Sequence, residues 1–425
     1  MKKPQTITEK ILSAHAGKAV YADELTIVKV DGIMASDTTA PMAIKAFREM
    51  GGQRVFNKEK TIMVIDHASP APNERIGNLH KFMREFVNEQ DCVLYDVGEG
   101  ICHQLVVENA HVKPGDLFIG ADSHTVTYGC LNAFATGVGS TDLAGVMLTG
   151  KIWLKVPRTI KFVLNGRLKA GVSAKDVILF LAKHLTIEGA TYQAIEFEGP
   201  IVERMTLSSR MTMCNMVIEM GAKNGICHPA GLHLPYDWTP ILPDEGAVYE
   251  RVIEFDLSDL KPQLAFPNSP DNVHDAEKAV GTPIQFAFMG SCTNARLEDL
   301  QIAATIMKGK KVAKNVRFLV APASNKVFMD ALADGTAQVL MEAGAKFITS
   351  GCGPCVGSHL GVPGDGETVI SSTNRNFRGR MGNPNSEVYL GSPAVVAASA
   401  LEGFIALPEG LSVDGAARAV LSVEC

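Results

Sequence analysis

Short apolar runs recur along the chain, each closed by a turn rich in Gly or Asp and followed by a helical stretch. The runs are TIMVIDH (61–67), DLFIGADSH (116–124), PIQFAFMGSC (283–292), VRFLVAPAS (316–324) and KFITSGCGPC (346–355). Between them, NLHKFMREFVNEQ (78–90) and LEDLQIAATIMKG (297–309) carry apolar residues at helical period. Near-continuous apolar runs fit strands buried on both faces, and their alternation with helices predicts α/β units with mostly parallel sheets. The texture changes from about 158 to 282, which includes TIKFVLNGRL and the loop-rich NGICHPAGLHLPYDWTPILPDEG; the rhythm resumes after Gly281. Three regions are expected: 1–156, 157–282 and 283–425.

Composition narrows the class. A chain of 425 residues has room for about three domains. Apolar residues at 46% and charged residues at 20% are ordinary for a soluble globular protein. With 40 basic against 46 acidic residues the net charge is −6, which argues against binding nucleic acid or an anionic membrane. The best apolar stretch, Pro393 to Pro408, is interrupted by Glu402 and is too short to span a bilayer. The N-terminal lysines are not followed by an apolar h-region, so no secretory signal is expected. Nine cysteines, an odd number, do not make a disulfide framework. The expectation is a cytoplasmic protein with reduced thiols.

Four polar clusters sit at the C-terminal ends of the apolar runs: Asp66-His67, Asp122-Ser123-His124, Ser291-Cys292-Thr293-Asn294, and Cys352 with Cys355. Strands stop in turns, and turns are polar. Yet ligands of open α/β sheets bind outside the carboxyl ends of strands, so four such clusters indicate one shared site. Cys352 and Cys355 form a C-x-x-C, which serves as a redox dithiol, half a zinc site or part of an iron–sulfur site. A thioredoxin-like dithiol would sit near the start of a small domain, and this one does not. A zinc site needs further ligands, and the nearest candidate is His359. Cys292 shares the strand-to-helix context, where helix N–H groups favour a thiolate. Three cysteines without a clear fourth leave three readings open: structural thiols, zinc, or a cubane with one iron free as a Lewis acid.

The motifs GSCTN (290–294), GCGPC (351–355), NRNFRGR (374–380), DH (66–67), GICHQ (100–104) and GADSHT (120–125) resemble those of the aconitase superfamily, in the same order. TYGCLNAFATGVGSTDLAG and GSPAVVAASALEG resemble it as well, and the motifs span positions 66 to 380. The resemblance implies aconitase-like three-layer α/β/α domains around a central cleft. It implies a [4Fe–4S] cluster on Cys292, Cys352 and Cys355, and reversible loss of water from a small hydroxy di- or tricarboxylate. His67, paired with Asp66, matches the acid that protonates the departing hydroxyl. His103 and His124 match further active-site histidines, and Asp122 and Glu196 the carboxylates that orient them. Ser123, Asn374, Arg375 and Arg380 match groups that hold substrate and cluster, with Asn215 and Asn294 as weaker carry-overs near the cluster.

Competing readings fare worse. Adjacent residues of an extended chain point to opposite faces, so Asp122, Ser123 and His124 cannot form a hydrolytic triad, and no G-x-S-x-G is present. GVGSTDLAG (137–145) has Asp142 where a dinucleotide fingerprint needs glycine. Three arginines in NRNFRGR are a small patch for RNA in an acidic chain. A cluster-bearing sensor without catalysis would have no use for Asp66, His67, His103, Asp122, His124 and Glu196. Cys92, Cys102, Cys130, Cys214, Cys227 and Cys425 read as structural or incidental. In the family the base is a serine in a G-S-S-R motif on a swivelling domain. Here Ser208-Ser209-Arg210 lacks the glycine and sits mid-chain. The chain therefore resembles the large subunit of a two-chain dehydratase, whose small subunit carries the swivel domain and the catalytic serine.

Overall fold

The computed structural model describes residues 3–408. Seven strands come first: β1 (Leu25–Lys29), β2 (Gly32–Ser36), β3 (Thr61–Val64), β4 (Val93–Tyr95), β5 (Leu117–Gly120), β6 (Phe134–Gly137) and β7 (Lys151–Lys155). β1 and β7 pair as an antiparallel ribbon. The others form a parallel sheet in the order β4-β3-β2-β5-β6. Its central strands β2, β3 and β5 are buried at every residue, which is why they read as apolar runs without alternation. The helix Glu74–Gln90 contains the amphipathic stretch, starts at the Asn73 cap and buries Met83, Phe86 and Val87. Phe86 meets Phe47 of the helix Ala40–Glu49 edge to face, ring centres 5.9 Å apart.

The second sheet comprises β8 (Thr159–Asn165), β9 (Ala194–Glu198), β10 (Asn224–Cys227) and β11 (Arg251–Asp256), all parallel, in the order β10-β9-β8-β11. The third comprises β12 (Gln263–Ala265), β13 (Val273–Asp275), β14 (Phe286–Met289), β15 (Arg317–Val320), β16 (Lys346–Phe347), β17 (Thr368–Ser371) and β18 (Glu387–Leu390). Its order is β13-β12-β18-β17-β14-β15-β16, parallel except where β12 meets β13 and β18. The third sheet thus starts at Gln263, well ahead of 283. The short strands β12 and β13 gave no apolar run to betray them. The second sheet begins at Thr159, close to the expected change at 157.

Strand order places the site. In the first sheet the chain runs from β2 to β3 on one side and returns to β5 on the other. In the third it runs from β14 to β15 and returns to β17 on the opposite side. Each reversal opens a crevice beyond the carboxyl ends of the strands. Asp37, Asp66 and Asp122 follow β2, β3 and β5, and Cys292 and Asn374 follow β14 and β17. The first and second sheets are joined tightly where Gly129 meets β10. A Cβ on Gly129 would lie 1.6 Å from the Gly225 carbonyl oxygen. Backbone cannot yield as a side chain can, so Gly129→Ala should destabilise the protein by about 3 kcal/mol. Urea unfolding checks this, and an unchanged midpoint would contradict the close approach.

Candidate active site

The Asp66-His67 turn is built before it is chemical. Asp37, buried at the end of β2, accepts the amides of His67 (2.8 Å), Ala68 (2.9 Å) and Asp66 (3.3 Å), and pairs with His80 Nε2 (3.0 Å). Burial works against the Asp37 charge, but His80 and these donors hold its carboxyl below the usual range. Asp66 accepts the Cys102 amide through Oδ2 (2.8 Å) and meets His67 Nδ1 through Oδ1 (2.7 Å). His67 Nε2 lies 3.2 Å from Asp122 Oδ2. Ionised carboxylates only accept, so an imidazole between two of them donates from both nitrogens and is cationic. Burial opposes that charge, yet Asp66 and Asp122 raise the His67 pKa well above 6.5.

Asp122 is the hub. Its Oδ1 meets His103 Nε2 at 3.1 Å and accepts the His124 amide at 2.8 Å, capping the turn that carries His124. Against burial, His103, His124 and His67 hold its carboxyl well below the usual range. His103 Nδ1 bonds the Tyr128 hydroxyl at 3.1 Å. His124 Nε2 bonds Glu219 Oε1 at 2.8 Å, and Arg375 Nε reaches both Glu219 oxygens at 2.9 Å. Arg375 Nη2 donates to Ser123 Oγ at 3.1 Å.

One sequence expectation needs correcting. Glu196 does not orient any of these histidines. It lies on β9, where it accepts from Thr8 (3.1 and 3.3 Å) and Tyr249 (3.0 Å), and burial pushes its pKa up to about 7. Glu219 does the orienting. Its signal was present in CNMVIEM, where Asn215 and Glu219 stand four residues apart in an apolar stretch and so share a helical face. Cys102, set aside as structural or incidental, also lies here. Its sulfur is grouped with Asp66 and His67, and with His103 and Asp122, ligand atoms within 4.8 Å of one another. Burial and the adjacent carboxylates raise its pKa strongly and keep it a thiol.

Cys292, Cys352 and Cys355 lie close enough for their charges to act on one another and on Asp66, Asp122 and His124. Cys292 follows β14 in a loop where Ser291 (φ 79°) and Ala295 (φ 95°) take left-handed backbone, the kind of strain that gathers at functional loops. Cys352 caps the turn Gly353–Val356 and Cys355 lies within it. All three are buried and none is in a disulfide. The Cys352 thiol bonds Cys355 and lowers the Cys355 pKa against burial, with help from Arg380, whose Nη2 is 3.8 Å from its sulfur. Burial and the charges of Cys355 and Asp122 push Cys292 up to about 12. Asn215 and Asn374 each donate to Cys292 Sγ, at 3.2 and 3.4 Å. Asn294 instead bonds Thr212 and Asp299.

This donor set fits an iron–sulfur group. Amide donors on Cys292 and a guanidinium donor on Cys355 suit thiolates sharing a cationic centre. Among the described residues, the buried Asn374 Oδ1 and Arg380 Nε have no hydrogen-bond partner. His359, the nearest zinc candidate, has its Nε2 on the His67 carbonyl at 2.7 Å. Of the remaining thiols, Cys214 and Cys227 are 3.6 Å from each other, Cys130 is buried in the same core, and Cys92 is half-buried against the core of the first sheet. Cys425 lies outside the described residues. No helix among the described residues is long and apolar enough to cross a membrane.

Known proteins resemble the chain throughout its length. A Methanopyrus kandleri protein named 3-isopropylmalate dehydratase large subunit 1 is 47% identical over 412 residues, covering 95% of this chain and 99% of that one. A 3-isopropylmalate dehydratase large subunit of Hydrogenobaculum is 47% identical over 418 residues, with 96% and 99% covered. A Thermotoga maritima protein, 3-isopropylmalate dehydratase large subunit 1, is 47% identical over 414 residues, with 95% and 99% covered. The model of the aconitase family (aconitate hydratase) matches residues 9–236 and 233–403, which take in every element of the site, and the chain belongs to that family.

Proposed function

We propose that the chain is the large subunit of a [4Fe–4S] hydro-lyase that removes water from 2-isopropylmalate and restores it to give 3-isopropylmalate, the isomerisation used in leucine biosynthesis. One observation carries the reading. Three buried, unbridged thiols share a cleft with an imidazole held between two carboxylates. The relatives, all named large subunits of 3-isopropylmalate dehydratase, support the choice of substrate and a small-subunit partner.

Cys292, Cys352 and Cys355 would hold the cluster, which when bound supplies a Lewis-acidic iron for the substrate hydroxyl and a carboxylate. The chain's own groups handle protons and charge. Hydroxide is a poor leaving group, and the His67 imidazolium, kept charged by Asp66 and Asp122, is the donor that converts it to water. Asp122 ties His67 to His103, so the proton can be replaced along the same array. Arg375 and Arg380 put positive charge beside the cleft, where an arginine fork suits a substrate carboxylate. Glu219 fixes both His124 and Arg375 and so sets where these groups point.

The base comes from the partner in this reading. Arg210 of LSSRM is wholly buried, and its guanidinium donates to the carbonyls of Val202, Met205, His228 and Ala230. Ser209 bonds Glu298 at 3.3 Å. Arg210 and Ser209 thus serve the fold.

Reconstituted anaerobically with iron and sulfide, the chain alone should turn brown yet dehydrate nothing. With its small subunit it should turn over 2-isopropylmalate in preference to homocitrate, citrate and dimethylmalate. Turnover by the chain alone, or a colourless product, would overturn the proposal. In the pair, Glu219→Gln should lower kcat by about 10²–10⁴-fold, whereas Glu196→Gln should cost about tenfold at most; equal losses would return the orienting role to Glu196. His67 should stay protonated through neutral pH, with its stabilisation present below 6.5 and lost only as pH rises through the raised folded value. Asp122→Asn should bring its NMR titration midpoint down by roughly 1–3 pH units, and an unmoved midpoint would refute the paired-carboxylate account.

A further inference from the structure

Lys175 stands where a lysine has least reason to be. It is fully buried, and it occupies the first turn of the helix Ala174–Leu185, where the helix dipole disfavours a cation. A methionine would fill the same space without desolvating a charge. The ammonium crosses from the second sheet's helix to the third sheet and donates to the carbonyls of Ser372 (2.8 Å) and Thr373 (2.5 Å). These residues directly precede Asn374 and Arg375. Asn374 donates to Cys292 Sγ, and Arg375 grips the Glu219 that orients His124. One buried ammonium therefore sets the starting point of a loop whose next two side chains reach a thiol and a histidine partner.

We infer that Lys175 is a positioning residue of the active site: it anchors the 374–380 loop through the carbonyls of Ser372 and Thr373. The anchor itself does not depend on a bound cluster; its effect on iron retention rests on the cluster reading above.

The full chain should be made as Lys175→Met, which loses donor and charge, and as Lys175→Gln, which keeps a donor without charge. In cluster-free protein, backbone hydrogen exchange over 374–380 should speed up about tenfold in Lys175→Met and less in Lys175→Gln, while exchange in the first sheet stays put. Equal exchange in wild type and Lys175→Met would overturn the anchor whether or not the chain binds a cluster. In reconstituted protein with its small subunit, Lys175→Met should lose iron to a chelator about 10–100-fold faster than wild type, and Lys175→Gln, which keeps a donor, should restore part of that retention. Iron loss at the wild-type rate from folded Lys175→Met would overturn the active-site role and leave the cluster itself in place. A wild-type chain that takes up no cluster would instead sink the proposed function and leave the exchange measurement to decide the anchor. Should Lys175→Met fail to fold, Lys175→Gln carries both measurements.

Discussion

Everything in the cleft depends on the carboxyl ends of two sheets meeting at hydrogen-bond distance. The Cys352 amide donates to the Asp66 carbonyl at 2.9 Å, and His359 Nε2 meets the His67 carbonyl at 2.7 Å. The thiol turn of the third sheet thus rests directly on the acid turn of the first. Gly351 permits this contact, since a Cβ there would come within 2.9 Å of the same Asp66 oxygen. On the far side a Cβ on Gly357 would lie 2.2 Å from the Gly382 amide nitrogen, so the turn is gripped from two directions. Backbone contacts of this kind hold position to a fraction of an ångström, which catalysis in a shared cleft requires.

The second demand is electrostatic. Asp37, Asp66, Asp122 and Glu219 are all buried or nearly so, and unpaired they would be costly to desolvate. Each is answered by an imidazole, a guanidinium or a backbone amide in good geometry. A chain of alternating carboxylates and imidazoles results, running from His80 through Asp37 to the acid turn, and from His67 through Asp122 to His103. Arg375, Glu219 and His124 continue the same alternation on the other wall. Such a network is preorganised: the dipoles that a reaction would need are already aimed, and water need not be turned at the moment of reaction.

The α/β architecture was legible because buried parallel strands leave long apolar runs. β3, β5, β14 and β15 all fall inside runs marked in the sequence, and the helices Glu74–Gln90 and Leu297–Met307 fall on the amphipathic stretches. β12 and β13 were missed because three-residue strands are too short to show a period. Ser208-Ser209-Arg210, set aside as a coincidence, turned out to hold a loop through Arg210. The motifs located the thiols and histidines, since local spacing is what motif reading measures.

Pairing across the cleft was beyond that reach. Glu196 and Glu219 are both lone acids in apolar surroundings, and only the path of the chain decides which of them faces His124. Cys102 looked idle until folding set it against Asp66 and Asp122, and Lys175 is buried only because its helix packs against the third sheet. The sequence alone determined which elements form and which residue types end them, because those follow from local periodicity and turn chemistry. Tertiary structure decided which acid meets which imidazole, because such contacts join residues far apart in the chain and exist only once the sheets have closed on one another.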